Sequence, residues 1–188
     1  MNRNLTALKE VAAFLKGRNL KYALIGGLAV GCRGQARFTK DVDISCWVDL
    51  GDELAFINAV LEKFSARMED AAAFAISFRT LVIEASNGVP IDLALACFPF
   101  EEEMLSRATS VKIQAGLAIN VLTAEDLILT KAMAGRSQDW IDIQGIYDRC
   151  GPDLDNAAIE SRVLAVAELI DTDEILTRLQ ECREKAEE

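Results

Sequence analysis

The stretch Leu24–Ile44, LIGGLAVGCRGQARFTKDVDI, decides how this chain folds. Its apolar start predicts a buried strand over residues 21–25, which runs into Gly26-Gly27. Two adjacent glycines let the backbone turn sharply or approach a ligand closely. A short helix predicted over residues 28–32 would point its N-terminal amides back at them, an arrangement that favours a bound phosphate. An ordinary tight turn is the alternative interpretation.

The end of the same stretch predicts a second strand, over residues 41–48. Alternation along a strand places Asp41, Asp43 and Ser45 on one face, while the apolar residues between them face the core. Carboxylates two residues apart are separated by about 6.6 Å along the strand. They can therefore converge on one or two divalent cations, which prefer oxygen ligands. A solvated strand face is the alternative interpretation of this pair.

Asp92 is the candidate for a third ligand. It lies in a strand predicted over residues 90–97 and is surrounded there by isoleucine, leucine and alanine. An unpaired carboxylate is expensive to bury among such neighbours, and a bound metal would remove that cost. The alternative is an exposed acid on an edge strand.

Taken together, an apolar residue with Gly-Gly, thirteen further residues and then Asp-Val-Asp-Ile resemble the signature of the polymerase-β-like nucleotidyltransferase superfamily. The resemblance implies that Gly26 and Gly27 bind the triphosphate of an NTP. It also implies that Asp41, Asp43 and a third acid, here Asp92, are catalytic residues that bind two Mg²⁺ ions, or Mn²⁺ in their place. Asp92 is the preferred base for the acceptor hydroxyl.

Arg37 and Thr39 complete an Arg-x-Thr-x-Asp-x-Asp run that also resembles this superfamily. The resemblance implies that both residues take part in nucleotide binding, with Arg37 neutralising the triphosphate. A structural ion pair between Arg37 and its neighbouring acids is the alternative.

A second block, Leu127–Ile143, resembles the helical region of the abortive-infection (AbiEii-type) toxin nucleotidyltransferases. Carried over by position, Lys131 would touch the triphosphate, and Asp139, with Asp142 as a further candidate, would lie near the nucleotide. A purely structural role is equally open, because acids in the first turn of a helix suit the helix dipole.

The whole pattern predicts an α+β (mixed α/β) chain with the polymerase-β-like nucleotidyltransferase fold, in which helices flank a small mixed sheet. Residues 1–122 would form the nucleotidyltransferase core, and residues 123–188 a C-terminal helical region packed on it. Within the core, residues 73–78 and 81–85 predict two strands. In the helical region, Ser137 is predicted to cap a helix, and two final helices are predicted over residues 155–170 and 173–186.

Composition excludes several classes of function. The 188 residues are 51% hydrophobic and 27% charged, as in a globular protein. There is no histidine, which rules out catalysis by serine–histidine or cysteine–histidine pairs and zinc sites with histidine ligands. Five scattered cysteines indicate reduced thiols. No apolar run approaches the roughly 18 residues of a membrane span, and the N-terminus does not resemble a signal peptide, so we expect a cytoplasmic protein with no membrane partner.

The net charge of −10 disfavours broad, non-specific binding to nucleic acid, although Arg33, Arg37 and Lys40 could form a local basic patch. The sequence therefore predicts a metal-dependent nucleotidyltransferase that moves an NMP from an NTP to an acceptor hydroxyl. The resemblance implies a bacterial toxin that modifies tRNA or another cellular acceptor and has a cognate antitoxin protein as its partner. The alternatives are an antibiotic-type enzyme acting on a small hydroxylated molecule, and a non-catalytic relative that binds a nucleotide or a partner.

Overall fold

A seven-stranded mixed sheet forms the centre of the N-terminal part of the chain in the computed structural model, which describes residues 3–166 and 172–187. The spatial order is β3-β4-β5-β2-β1-β7-β6. Two pairs, β2 with β5 and β1 with β7, are parallel, and the other pairs are antiparallel. The strands are β1 (Tyr22–Leu24), β2 (Val42–Trp47), β3 (Ser65–Ala66), β4 (Thr80–Glu84), β5 (Pro90–Ala96), β6 (Thr109–Gln114) and β7 (Leu117–Val121). This architecture confirms the predicted mixed sheet flanked by helices.

The chain divides into two compact units. One comprises Met1–Leu28 with Phe38–Leu122, and the other comprises Ala29–Arg37 with Thr123–Glu188. The chain passes from the first unit to the second within α2 (Gly26–Arg33). The sequence-based division at residue 122 differs from this one in the placement of residues 29–37.

Close packing explains why residues 29–37 group with the helical unit. A Cβ atom on Gly34 would lie 2.9 Å from Ile146 Cγ1 and 3.0 Å from the backbone of Gly145, so no side chain fits at this position. Arg149 also donates a hydrogen bond to the Gly34 carbonyl at 2.8 Å, and the Gln35 amide donates one to Asp148 at 3.2 Å. These contacts join residues that are more than 100 positions apart, and no local sequence pattern indicates them.

The helices of the first unit, besides the start of α2, are α1 (Arg3–Gly17), α3 (Glu53–Leu61), α4 (Ala71–Phe78) and α5 (Pro99–Arg107). The interpretation of residues 73–78 as a strand is wrong, because they belong to α4. Short apolar runs do not distinguish a strand from a buried helix, and the three alanines that open α4 favour the helix. Arg79 ends it with a φ of 50° in the left-handed region.

The second unit contains, besides the end of α2, α6 (Ala124–Ala134), α7 (Ser137–Cys150), α8 (Asn156–Ala165) and α9 (Thr172–Glu187). Ser137 is the first residue of α7, and the N-cap position belongs to Arg136, so the predicted cap was wrong by one residue. The Asp139 carboxylate accepts a hydrogen bond from the Arg136 backbone N–H at 3.2 Å and thus stabilises the start of this helix. Residues 167–170 of the predicted penultimate helix lie outside the described residues.

None of the helices formed by residues 3–166 and 172–187 is both long and apolar enough to cross a lipid bilayer.

Candidate active site

The register between β2 and β5 places two acids directly opposite each other. Asp43 pairs with Asp92, and the apolar pairs on either side, Val42 with Ile91 and Ile44 with Leu93, are fully buried. Residues directly opposite across a ladder share a face. Asp43 and Asp92 therefore lie together on the face that is not the core face, as the alternation predicted. Moreover, β5 lies between β4 and β2, so the alternative of an edge-strand acid is wrong.

Asp41, one residue before β2, completes an acidic cluster, the name we give to Asp41, Asp43 and Asp92. One carboxylate oxygen of each residue lies within 4.8 Å of those of the other two, and all three residues are partly exposed. Among the residues that the structure describes, no other group of three possible ligands converges in this way. Carboxylate oxygens in such a set fit hard divalent cations such as Mg²⁺ or Mn²⁺.

Charge crowding is visible in the cluster itself. Burial raises the pKa of Asp92 above its usual range, and the neighbouring Asp41 carboxylate raises it further, while the Arg67 guanidinium opposes both effects. The net result is a carboxylate that holds its proton more readily than an exposed aspartate does. A bound cation would relieve this repulsion, and a carboxylate with a raised pKa is also a better general base.

Only glycine fits at position 26, because the backbone of Gly26 lies against the Asp43 side chain. The φ of +62° at Gly26 lies in the left-handed region, and a Cβ atom there would lie 1.9 Å from Asp43 Oδ2. The adjacent Ile25 N–H donates a hydrogen bond to the Asp43 carbonyl at 2.9 Å. Both Gly26 and Gly27 are the first residues of α2, so the helix begins two residues earlier than predicted. The close approach predicted at this diglycine is thus observed toward an acid of the cluster.

Thr39 also acts on the acidic cluster. Its hydroxyl donates a hydrogen bond to Asp41 Oδ1, and its carbonyl accepts one from the Asn4 side chain at 2.9 Å. The threonine thereby restrains the Asp41 carboxylate. Its predicted contact with a nucleotide stays a prediction.

Arg67 is a residue of this site that sequence analysis missed. Its guanidinium Nη1 donates a hydrogen bond to Asp92 Oδ1 at 2.6 Å. It follows the two-residue strand β3 and lies 25 positions before Asp92, in a stretch without a motif. Only the strand pairing could have indicated the contact.

Residues of the second block, together with Arg37, form an ion-pair network in the helical unit. We use the name buried ion-pair network, after the buried Lys131, Asp139 and Asp142, for these three residues with Arg37 and the mostly exposed Arg136. Lys131 Nζ lies 2.8 Å from a carboxylate oxygen of Asp139 and 2.8 Å from one of Asp142. Arg37 binds both oxygens of Asp142, at 2.7 and 3.0 Å, and Arg136 Nε lies 2.7 Å from Asp139.

Burial and hydrogen bonding have opposite effects on the two acids of this network. Asp139 and Asp142 are 1% and 3% exposed, and burial raises the pKa of each. Hydrogen bonds from Arg136 and Lys131 to Asp139, and from Arg37 and Lys131 to Asp142, outweigh that effect, so both pKa values are lowered. The observed contacts agree with the structural alternative for these residues. Nucleotide contacts by Arg37, Lys131 and Asp139 stay predictions.

Comparison with known proteins agrees with the chemistry of the acidic cluster. The model of a family described as "Nucleotidyl transferase of unknown function (DUF2204)" matches residues 4–181. The chain belongs to this family. The predicted assignment to the nucleotidyltransferase enzymes is therefore confirmed, whereas the specific resemblance to AbiEii-type toxins stays a prediction. No curated protein is significantly similar to the chain in sequence.

Solved structures with a similar fold include an antigenic nucleotidyltransferase-like protein from Paracoccidioides brasiliensis. It is 15% identical, the alignment covers 93% of this chain and 94% of that one, and the TM-score is 0.52. The antibiotic-resistance factor ANT(2'')-Ia is 17% identical over 96% of this chain and 91% of its own, with a TM-score of 0.47. The lincosamide antibiotic adenylyltransferase LnuA is 12% identical over 74% and 93%, with a TM-score of 0.48. The likeness to the Paracoccidioides brasiliensis structure agrees with the mixed α+β fold of this chain.

Proposed function

We propose that this nucleotidyltransferase moves an NMP from an NTP to an acceptor hydroxyl, using Mg²⁺, or Mn²⁺ in its place, held by Asp41, Asp43 and Asp92. The observation that supports the proposal is the convergence of the three carboxylates within 4.8 Å. Two of them are fixed opposite each other by the register of adjacent parallel strands. A strand register is rigid, so the ligands are held in place before the substrate arrives.

The proposed chemistry needs a base and neutralised phosphate charge. When bound, the metal ions supply Lewis-acid activation and charge neutralisation at the phosphates. Asp92 accepts the proton of the acceptor hydroxyl, a role suited to a carboxylate whose pKa burial has raised. The acceptor oxygen forms a bond to the α-phosphorus, the bond from that phosphorus to pyrophosphate breaks, and pyrophosphate leaves. Apart from the base role of Asp92, the protein side chains need only hold the metal ions and position the reacting groups for this in-line displacement.

The N-terminus of α2 is the proposed phosphate site. The first backbone N–H groups of a helix have no partner within the helix, and they favour an anion. Gly26 and Gly27 contribute such groups and have no side chains of their own that would obstruct a ligand. Thr39 would contribute through its hydrogen bond to Asp41, and Arg37, Lys131 and Asp139 are kept as nucleotide-site candidates on the resemblance alone.

For the acceptor, we propose a hydroxyl of tRNA, with the protein acting in the cytoplasm as a bacterial toxin that has an antitoxin partner. This proposal rests on the resemblance of Leu127–Ile143 to the AbiEii-type toxins. A small cationic hydroxylated molecule, such as an aminoglycoside, is the second candidate. The net charge of −10 favours it, since a strongly acidic protein attracts cations and repels a polyanion.

One labelling experiment tests the enzyme and both acceptors. The purified protein is incubated with each α-³²P-labelled NTP, Mg²⁺, and in turn total RNA, an aminoglycoside panel and a protein extract. We expect label in the tRNA fraction, none after Mg²⁺ is removed with EDTA, and none from Asp92→Asn. Glu84→Gln is the matched control, because Glu84 is an exposed acid of the same sheet outside the acidic cluster.

The results of this experiment distinguish the two acceptors from each other and an enzyme from a non-catalytic relative. Label in an aminoglycoside replaces the tRNA proposal with the second candidate. Transfer by Asp92→Asn at the wild-type rate would contradict the proposed metal and base roles. Retained NTP binding without transfer to any acceptor would favour the non-catalytic alternative.

A further inference from the structure

Arg67 contacts the acidic cluster but has no part in the proposed chemistry. Its guanidinium Nη1 lies 2.6 Å from Asp92 Oδ1, and the two side chains are 36% and 34% exposed. An ion pair with this degree of exposure contributes little to stability. Stability therefore does not explain why Arg67 contacts Asp92.

The strand register explains how Arg67 reaches Asp92. The Arg67 backbone N–H donates to the Val82 carbonyl at 3.1 Å, which extends the β3–β4 ladder by one residue. Val82 in turn pairs with Asp92, and Asp92 pairs with Asp43. These residues form one row across four neighbouring segments of the sheet, and members of such a row share a face. The arginine is thus aimed along the row at the acidic cluster.

The direction of this contact matters because Asp92 lies next to two other carboxylates. Repulsion favours rotation of the Asp92 carboxylate away from those of Asp41 and Asp43. The χ2 torsion of an aspartate has broad, shallow minima and resists this rotation only weakly. A guanidinium is a planar donor with a fixed geometry, and it is better suited than an ammonium to hold a carboxylate in one orientation. Arg67 has its backbone fixed in the sheet, so it supplies a donor at a constant place.

We propose that Arg67 is a positioning residue of the nucleotidyl transfer reaction. This role rests on the proposed function. The guanidinium holds one oxygen of Asp92 by a hydrogen bond and thereby fixes the plane of the carboxylate. Asp92 then presents its other oxygen in a constant direction for the acceptor proton. Arg67 itself touches neither the substrate nor the reacting atoms.

The test compares kcat, KM and metal binding in four proteins: the wild type, Arg67→Ala, Arg67→Lys and Arg107→Met. Arg107 forms an ion pair of similar arginine exposure with Glu103 on α5, outside the acidic cluster, and is the matched control. We expect Arg67→Ala to lower kcat by about 10- to 100-fold, as loss of a group that orients a metal ligand usually does. KM for the NTP should stay near the wild-type value, Arg67→Lys should fall between, and Arg107→Met should match the wild type.

Metal binding and chemical rescue separate positioning from other roles. Mn²⁺ binding, followed by electron paramagnetic resonance, should be as tight in Arg67→Ala as in the wild type or tighter, because a positive charge has been removed from the cluster. Millimolar guanidinium ion, far below denaturing concentrations, should restore part of the activity of Arg67→Ala and none of that of Asp92→Asn.

Three results would overturn the inference. An unchanged kcat in Arg67→Ala means that the pair is an ordinary surface contact, and a raised kcat means that the guanidinium only competes with the metal. Loss of Mn²⁺ binding means that Arg67 holds the cluster together and does not act on the chemical step. These results require an active wild type. If the wild type transfers no nucleotide, the proposed function fails and this inference fails with it.

Discussion

The acidic cluster and the buried ion-pair network contain the same kinds of side chain in opposite arrangements. In the cluster, three partly exposed carboxylates converge on one another within 4.8 Å. In the network, two carboxylates that are almost fully buried each contact two or more cationic side chains. Like charges held together are costly and suit a ligand of opposite charge, whereas alternating charges satisfy one another.

This difference separates residues that resemble a functional motif from residues that have the geometry of a site. Both groups were predicted from family-like spacing. Burial and the neighbouring Asp41 carboxylate disfavour the charged form of Asp92 and raise its pKa, which is expected at a site that binds a cation. Lys131 and Asp139 are paired with each other, as a structural role would require, and their contact with a nucleotide stays a prediction.

The largest effect is expected from removing one charge of the acidic cluster. Asp92→Asn should lower the transfer rate on the order of 10⁴-fold, because a metal clamp supplies several kcal/mol and about 1.4 kcal/mol corresponds to a factor of ten. Its thermal unfolding temperature should stay the same or rise, because burial and the neighbouring Asp41 carboxylate disfavour the charged form of Asp92 in the folded protein, as its raised pKa indicates. Rates from the labelling assay and melting curves by circular dichroism measure the two effects. A large loss of stability with this substitution would contradict the contrast between the two regions.

The reverse pattern is expected in the ion-pair network. Lys131→Met should lower the free energy of unfolding by about 3–5 kcal/mol, because it leaves two buried carboxylates without their shared ammonium group. Urea unfolding measures it, and Arg183→Met, which removes an exposed i,i+4 pair with Glu187, is the control, with an expected cost of about 0–1 kcal/mol. If the variant folds and its KM for the NTP rises sharply, Lys131 contacts the nucleotide as the resemblance implies.

A third prediction concerns the glycine that supports the acidic cluster. Gly26→Ala should destabilise the protein by about 1–3 kcal/mol, the usual range for strained backbone positions, and should also lower activity by displacing Asp43. Gly116→Ala is a matched control, because Gly116 has a φ of +77° but a Cβ atom added there would have no neighbouring atom within 4 Å. The control carries the backbone strain without the clash. Equal activity in the two variants would show that contact with Asp43 is unimportant.

Sequence patterns predicted features that depend on short-range periodicity. The alternation around Asp43 and the apolar neighbours of Asp92 indicated two strands with a shared acidic face, and the pairing of β2 with β5 agrees. The strand predicted over residues 73–78 failed, because a short apolar run fits a helix as well as a strand. Features that need two or more strand pairings at once, such as the approach of Arg67 to Asp92, have no local signal.

The helical unit shows a second limit of the sequence. The spacing of Asp139 and Asp142 placed both acids on one turn of a helix, and that was observed. Their partners come from elsewhere, with Lys131 on α6 and Arg37 in the segment that packs with this unit. A motif alone therefore indicated a charged site, and only tertiary packing shows that its charges satisfy one another.

The smallest predicted effect is a pH dependence of stability that the ion-pair network causes. The pKa values of Asp139 and Asp142 are lower in the folded protein than the value of about 3.9 expected for an unfolded chain. Their stabilising contribution is therefore complete above that unfolded value and is lost as the pH falls through the lower folded values. The free energy of unfolding should decrease from about pH 5 downward, with a slope of about 1.4 kcal/mol per pH unit for each proton taken up on unfolding.

Urea unfolding of the wild type and of Asp142→Asn at several pH values measures this slope. The slope should be smaller in Asp142→Asn by about 1.4 kcal/mol per pH unit, the contribution of one proton. Asp153→Asn, which changes an exposed acid of the same unit, is the control and should keep the wild-type slope. An equal slope in the wild type and Asp142→Asn would mean that Asp142 titrates alike in the folded and unfolded chains, and the two charged regions would then not differ in the way their geometry indicates.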